Sequence, residues 1–231
     1  MARQEDAVHR TLLNRVRVLR AAVAFADGRG IEALSMRSLA QELGVVPMAL
    51  YKHVAGKEQL LDGMVDVVVG EIDCPVGGSD WKTAVRQRIL SARQALLRHP
   101  WASRVIESRT RPTPAVLDYL NSLIGMFRSG GLSADLTHHV MHALGSRVWG
   151  FTPDLFPAST DTTPGAREDT LREMAAKYPY IVEIATARPH DGATTVGQGC
   201  DDQFEFEFAL DLLLDGCERL HHQGWTSAGR S

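Results

Sequence analysis

The sequence predicts an all-α protein. Apolar residues recur at intervals of three and four along most of the chain, glycine and proline divide it into runs of helical length, and two short N-terminal runs meet in the spacing of a helix-turn-helix. Alternation of period two is nearly absent. Phe204-Glu-Phe-Glu-Phe208 is the exception, but Leu210, Leu212, Leu213, Leu214 and Cys217 continue it without a breaker, so one helix buried on more than one face is expected.

In order, residues 9–27 space Val16, Leu19, Val23 and Ala26 as a helix, with Arg15, Arg17 and Arg20 between them, and Gly28 and Gly30 are expected to stop it. Ser35 is a good N-cap for a short helix carrying Met36, Leu39, Ala40 and Leu43, and Gly44 ends it where a left-handed backbone is favoured. Pro47 sits where a first helical turn tolerates its missing N–H, opening a short helix to about Val54. Gly56 and Lys57 begin a longer apolar-striped run that ends at Cys74-Pro75-Val76-Gly77-Gly78. Residues 81–98, 114–129 and 133–150 read as three further helices. Two Pro-, Thr-, Gly- and Asp-rich stretches, 152–168 and 188–202, read as loops, either lids or mobile segments. The expected organisation is a three-helix domain over residues 1–56 and a larger helical domain over 57–231.

Composition narrows the function classes. With 44% apolar and 23% charged residues the chain is expected to fold as an ordinary soluble protein. No run approaches the roughly 18 apolar residues of a membrane helix, and the charged first twenty residues do not resemble a signal peptide, so a cytoplasmic protein without a membrane partner is expected. Cys74, Cys200 and Cys217 are widely spaced and odd in number, which disfavours a disulfide framework or zinc ribbon. The net charge of −3 divides unevenly: residues 1–60 hold nine Lys/Arg against six Asp/Glu, while the remainder is acidic. The basic end is the one with the helix-turn-helix pattern, weakly favouring a nucleic-acid partner.

A helix-turn-helix needs a small residue at the helix crossing, a glycine at the turn, and apolar inner faces that hold the second helix rigidly. Ala40 and Gly44 meet the first two needs; Leu39, Leu43, Val45 and Leu50 supply the inner faces. The outward face beginning at Pro47 offers Met48, Ala49, Tyr51, Lys52 and His53. Lys52 and Lys57 can meet phosphates, Tyr51 can donate to one, Met48 or Ala49 can touch a thymine methyl, and Arg37 can reach a guanine or the backbone. These eight residues, Arg37, Pro47, Met48, Ala49, Tyr51, Lys52, His53 and Lys57, are the candidate contacts to double-stranded operator DNA.

Residues 34–61, with Ala-Leu-Tyr-Lys-His followed by Gly-Lys-Glu-x-Leu-Leu, resemble the DNA-binding module of the TetR family of bacterial repressors. The resemblance implies an all-α homodimer whose C-terminal domain binds a small-molecule effector and releases the operator when occupied. It extends more weakly downstream: Thr110-Arg111-Pro112 matches a pocket-lining Thr-Arg-Pro of the tetracycline-repressor type, and residues 204–220 resemble the closing helix of its dimer interface. Glu107 and Asp73 stand where tetracycline-binding members have histidines, and Arg88 and Leu123 where they have amides, which argues against tetracycline itself.

Trp81, Trp101 and Trp149, with Met126 and Phe127, are the aromatic and apolar side chains that can wall a pocket or fill a core. The candidate effector-binding set is therefore Asp73, Arg88, Trp101, Glu107, Thr110, Arg111, Pro112, Leu123, Phe127 and Trp149. His138 and His142 are four apart, a spacing that can share a metal, but no metalloprotease carboxylate pattern accompanies them and no metal is assigned. No Gly-x-Ser-x-Gly, phosphate-cradling glycine loop or His-Glu-x-x-His occurs, so neither an enzyme nor a cofactor is implied.

Overall fold

The computed structural model describes residues 13–149, 175–180, 183 and 202–229. Among them there is helix and no strand. They fall into two compact units, one made of the chain up to His142 together with residues from Gly224 onward, the other of Ala143–Gln223.

In the first unit α1 (Arg15–Arg29) starts at Asn14, whose side chain accepts from the Arg17 N–H, and buries Val18, Leu19, Ala22, Val23, Phe25 and Ala26. Val16, expected on the apolar face, is 56% exposed, because the buried stripe runs one position later in the turn. The helix also runs through Gly28; Gly30 is its cap. A 3-10 turn (Ile31–Ala33) leads to α2 (Met36–Glu42). Here the N-cap Ser35 and Ser38 form a reciprocal capping box, the Ser38 N–H donating to Ser35 Oγ at 3.0 Å and the Ser35 N–H to Ser38 Oγ at 2.9 Å. Two otherwise orphaned donors are thereby satisfied.

Gly44 turns the chain at φ +65°, a conformation that costs any residue with a Cβ, and the Val45 N–H then bonds the Ala40 carbonyl. Pro47 opens α3 (Pro47–Leu50) at its first turn. The regular helix is shorter than the sequence suggests, though the Val54 N–H still reaches the Leu50 carbonyl at 3.0 Å and carries the chain round once more.

The helix predicted to reach Cys74 stops sooner, as α4 (Lys57–Val69), capped by Gly70. It lies close along α1: a Cβ on Gly63 would stand 2.6 Å from a Leu19 methyl. Next come α5 (Trp81–Arg98), with Asp80 as N-cap, α6 (Ala102–Ser108) and α7 (Pro114–Ser129), with Thr113 as N-cap. α7 packs on both α4 and α5, and Phe127, fully buried, meets the Trp81 ring at 5.7 Å. The sequence reading had no counterpart of α6, a seven-residue helix without a side-chain cap.

α8 (Ala134–Trp149) carries the chain across the boundary between the units. Residues 224–229 are tied to its first turn, where Asp135 accepts from both the Ser227 N–H (2.6 Å) and hydroxyl (2.7 Å) and is held below the ordinary carboxylate range by those bonds. In the second unit, α9 (Asp202–His222) confirms helix over strand for the phenylalanine run. The expectation that it is buried on more than one face is not met. Phe206, Leu210, Leu214 and Cys217 form one buried stripe, while Phe204, Phe208 and Leu212 form a second that is half-exposed or more. A helix puts residues four apart on one face, so the alternating phenylalanines separate onto two. The loops predicted at 152–168 and 188–202 lie outside the described residues, apart from Asp202.

Candidate nucleic-acid interface and effector region

The proposed contact face is built from behind. Leu39, Ala40, Leu50 and Val54 are buried at 0–1% exposure, so α3 is braced on α2 by apolar packing across the Gly44 turn, with Leu43 and Val45 partly covered. Arg15 fixes the far end, donating from Nη1 to the His53 carbonyl at 3.2 Å. What this leaves outward is unusual for a folded surface: Val46 is 67% exposed, Met48 71% and Tyr51 45%. Pro47, Lys52 and Lys57 are exposed beside them, Ala49 and His53 partly so, and Arg37 is exposed on the first turn of α2. The side chains of Arg37, Tyr51, Lys52 and Lys57 make no hydrogen bond or ion pair with any other described residue. A rigid rod thus presents uncommitted donors, cations and small apolar groups together, the mixture that base edges and phosphates require.

The candidate effector residues separate into groups. Asp73 and Arg88 are brought together: Arg88, 8% exposed on α5, donates from Nη1 to the carbonyls of Ile72 (3.1 Å) and Asp73 (2.8 Å) and lies over the Tyr119 ring at 5.2 Å. Burial raises the Tyr119 phenol well above its ordinary value, against the pull of that guanidinium. Glu107, Thr110, Arg111 and Pro112 all lie exposed on α6 and the link to α7. Pro112 lines a cavity of about 80 Å³ with Val65, Ile106, Arg109, Thr113 and Val116. Leu123 and Phe127 are buried in α7, at 4% and 0% exposure. Trp101 points elsewhere, its indole N–H donating to Asp27 Oδ1 of α1 at 2.7 Å. Trp149 is the last residue of α8, and its side chain lies outside the described residues.

Arg109 is the residue that sequence reasoning passed over. It lines the cavity, is largely buried, and donates from Nη1 to Glu58 at 2.7 Å and Asp62 at 3.4 Å on α4, while its Nε is buried with no partner. It adjoins the Thr-Arg-Pro match, but no local pattern distinguishes it from the other arginines. Among the described residues no three potential metal ligands cluster. His138, His139 and His142 are exposed, with the first and last rings 4.7 Å apart and edge-on, and His139 3.7 Å from Asp135.

Comparison with known proteins bears directly on this arrangement. Residues 18–64 match the family described as bacterial regulatory proteins, tetR family, and residues 74–220 match that described as tetracyclin repressor-like, C-terminal domain. The chain belongs to the TetR family. A TetR-family chain is a transcriptional regulator rather than an enzyme, and the two matched segments together span both the braced α3 and the helices that follow it. An HTH-type transcriptional regulator of Saccharopolyspora erythraea is 36% identical over 215 residues, covering 89% of this chain and 84% of its own. The HTH-type transcriptional repressor DrrR1 of Streptomyces coeruleorubidus is 29% identical over 209 residues, covering 88% and 77%. Among solved structures, the Streptomyces coelicolor TetR family protein ActR in complex with actinorhodin superposes with a TM-score of 0.70 at 25% identity, over 93% of this chain and all of that one. No helix among the described residues is long and apolar enough to cross a membrane.

Proposed function

We propose that this TetR-family protein is a homodimeric repressor that binds a partly palindromic operator through its N-terminal domain, residues 1–56, and releases it when a small molecule occupies the domain formed by residues 57–231. The observation that carries the reading is the α3 face: Met48 on the helix and Tyr51 and Lys52 on the turn that continues it, exposed and, for Lys52, uncommitted among the described residues, while Leu50 and Val54 behind them are buried. A monomer with no nucleic-acid partner gains nothing from leaving those groups in water, whereas a duplex supplies phosphates for Arg37, Tyr51, Lys52 and Lys57 and base edges for Met48, Ala49 and His53. Pro47 sets the axis on which they stand. Dimerisation is supported by the second apolar stripe of α9, Phe204, Phe208 and Leu212, which a second copy of the chain would cover. Two-fold symmetry then sets half-sites whose centres lie about 34–36 Å apart or a multiple of that.

The effector site is assigned to the region of α4 to α7, with Asp73, Arg88, Glu107, Thr110, Arg111, Pro112, Leu123 and Phe127 as its candidate residues; Trp101, whose indole is committed to α1, stands apart from them. Relatives with a bound small molecule, ActR with actinorhodin among them, support a ligand of some kind. Glu107 and Asp73 favour one unlike tetracycline. Selection of duplexes from a random library by the full-length protein, followed by gel shift at defined salt, tests the DNA half of the reading. Enrichment of an inverted repeat is expected, and recovery of no sequence above background would overturn it.

A further inference from the structure

The corner between α5 and α6 holds a buried imidazole with both nitrogens committed. His99, 7% exposed and the cap residue of α5, places Nδ1 2.8 Å from Asp27 Oδ1 on α1 and Nε2 3.2 Å from Glu71 Oε2, just past the end of α4. Each carboxylate has a second donor. The Trp101 indole N–H reaches the same Asp27 oxygen at 2.7 Å, and Arg98 reaches the same Glu71 oxygen from Nη2 at 2.8 Å and Nε at 3.3 Å. Partial burial alone would raise the Glu71 carboxyl, but the bonds from Arg98 and His99 hold it below its ordinary value, so it faces the ring as a carboxylate. Farther out, Arg104 of α6 pairs with Glu32 of the 3-10 turn at 3.0 Å, an exposed contact across the same junction.

Neutral imidazole carries one N–H and one lone pair. Only the doubly protonated ring donates to both carboxylates; a neutral ring keeps one bond and turns its lone pair toward the other acceptor. His99 ties α1, the end of α4 and the α5–α6 corner at a single side chain. We propose that His99 is a proton-dependent positioning residue that fixes the helix-turn-helix on the helices behind it, so that the regulator holds operator DNA more tightly when the ring carries both protons. Losing one proton weakens one of these ties, leaving Trp101 or Arg98 to hold that carboxylate alone, and widens the range of orientations that α3 samples, so that a duplex must restore a single one.

This inference rests on the proposed operator binding, and the test separates the two. His53 lies on the candidate DNA face, so it is retained in every variant and the slope is read as the difference from wild type. The probe is a duplex selected by the wild-type protein, and its Kd is followed by fluorescence anisotropy from pH 6 to pH 8.5 at constant ionic strength. With His99 present, affinity is expected to fall about fivefold as pH rises, the size of a modest coupling between sites. That fivefold component is expected to be lost in His99→Gln. Asp27→Asn discriminates a structural role from a protonic one: its amide oxygen can still accept from Trp101 and from an Nδ1–H, but the charge that favours the doubly protonated ring is gone, so affinity at pH 6 should fall toward its high-pH level and the slope should flatten. An unchanged slope in His99→Gln, or a slope kept intact by Asp27→Asn, would overturn the proposal. Side-chain 15N shifts of His99 in the full-length protein give a readout independent of the variants' stability, and a neutral tautomer at pH 6 would also overturn it. Failure of the operator reading itself would appear differently, as no binding at any pH.

Discussion

The outward face of α3 and the corner between α5 and α6 contain similar side chains and treat them in opposite ways. On α3 and the turn after it, Met48, Tyr51 and Lys52 stand in solvent, with no polar partner for Tyr51 or Lys52 among the described residues. At the corner, Trp101, His99 and Arg98 are each bonded to a carboxylate from another element. Polar groups engaged inside a protein serve its own geometry, while those held rigidly and left unengaged are ready for something else. The difference locates the binding surface by what the fold declines to satisfy.

Substitutions sharpen that contrast by magnitude. Phe127→Ala, at a fully buried ring packed on Trp81, should lower unfolding stability by about 3–5 kcal/mol in a denaturant titration. Gly63→Ala forces a methyl group against Leu19 and should cost about 1–3 kcal/mol by the same measurement, separating α1 from α4 beneath the helix-turn-helix. Ser35→Ala removes one arm of the capping box and should cost about 1 kcal/mol. Lys52→Ala should change stability by less than about 0.5 kcal/mol, yet reduce the dependence of log Kd on log salt by about one unit when operator binding is followed at several salt concentrations. If Lys52→Ala unfolded the protein and left that slope intact, the contrast between the two regions would be broken.

How much of this was legible in the sequence follows the range of the forces involved. Ser35, Gly44 and Pro47 act on backbone within a few residues, and each occupies the cap, turn or first-turn position its chemistry implies. The long amphipathic helices were equally readable: α5 and α7 begin and end where the Asp80 and Thr113 caps and the following breakers put them. The short α6 was not, since seven residues with no capping side chain owe their helicity to packing. Non-local bonds were also invisible. Nothing local pairs Asp27 with His99 and Trp101, 72 and 74 positions away, or Arg109 with Glu58, and so the junction and the arginine beside the cavity emerge only from the fold. The candidate DNA face was legible because one short segment carries nearly all of it; the effector region draws on α4 through α8 and is correspondingly harder to read.

The central claim is that the exposed face of α3 is the surface that grips DNA. Its most direct test is a titration of the selected operator, by anisotropy at fixed salt, with wild-type protein and with a variant carrying both Tyr51→Ala and Lys52→Ala, each checked for an unchanged thermal transition. The account predicts a loss of at least about tenfold in operator affinity at unaltered stability. Equal affinity of the two proteins for the operator would contradict it.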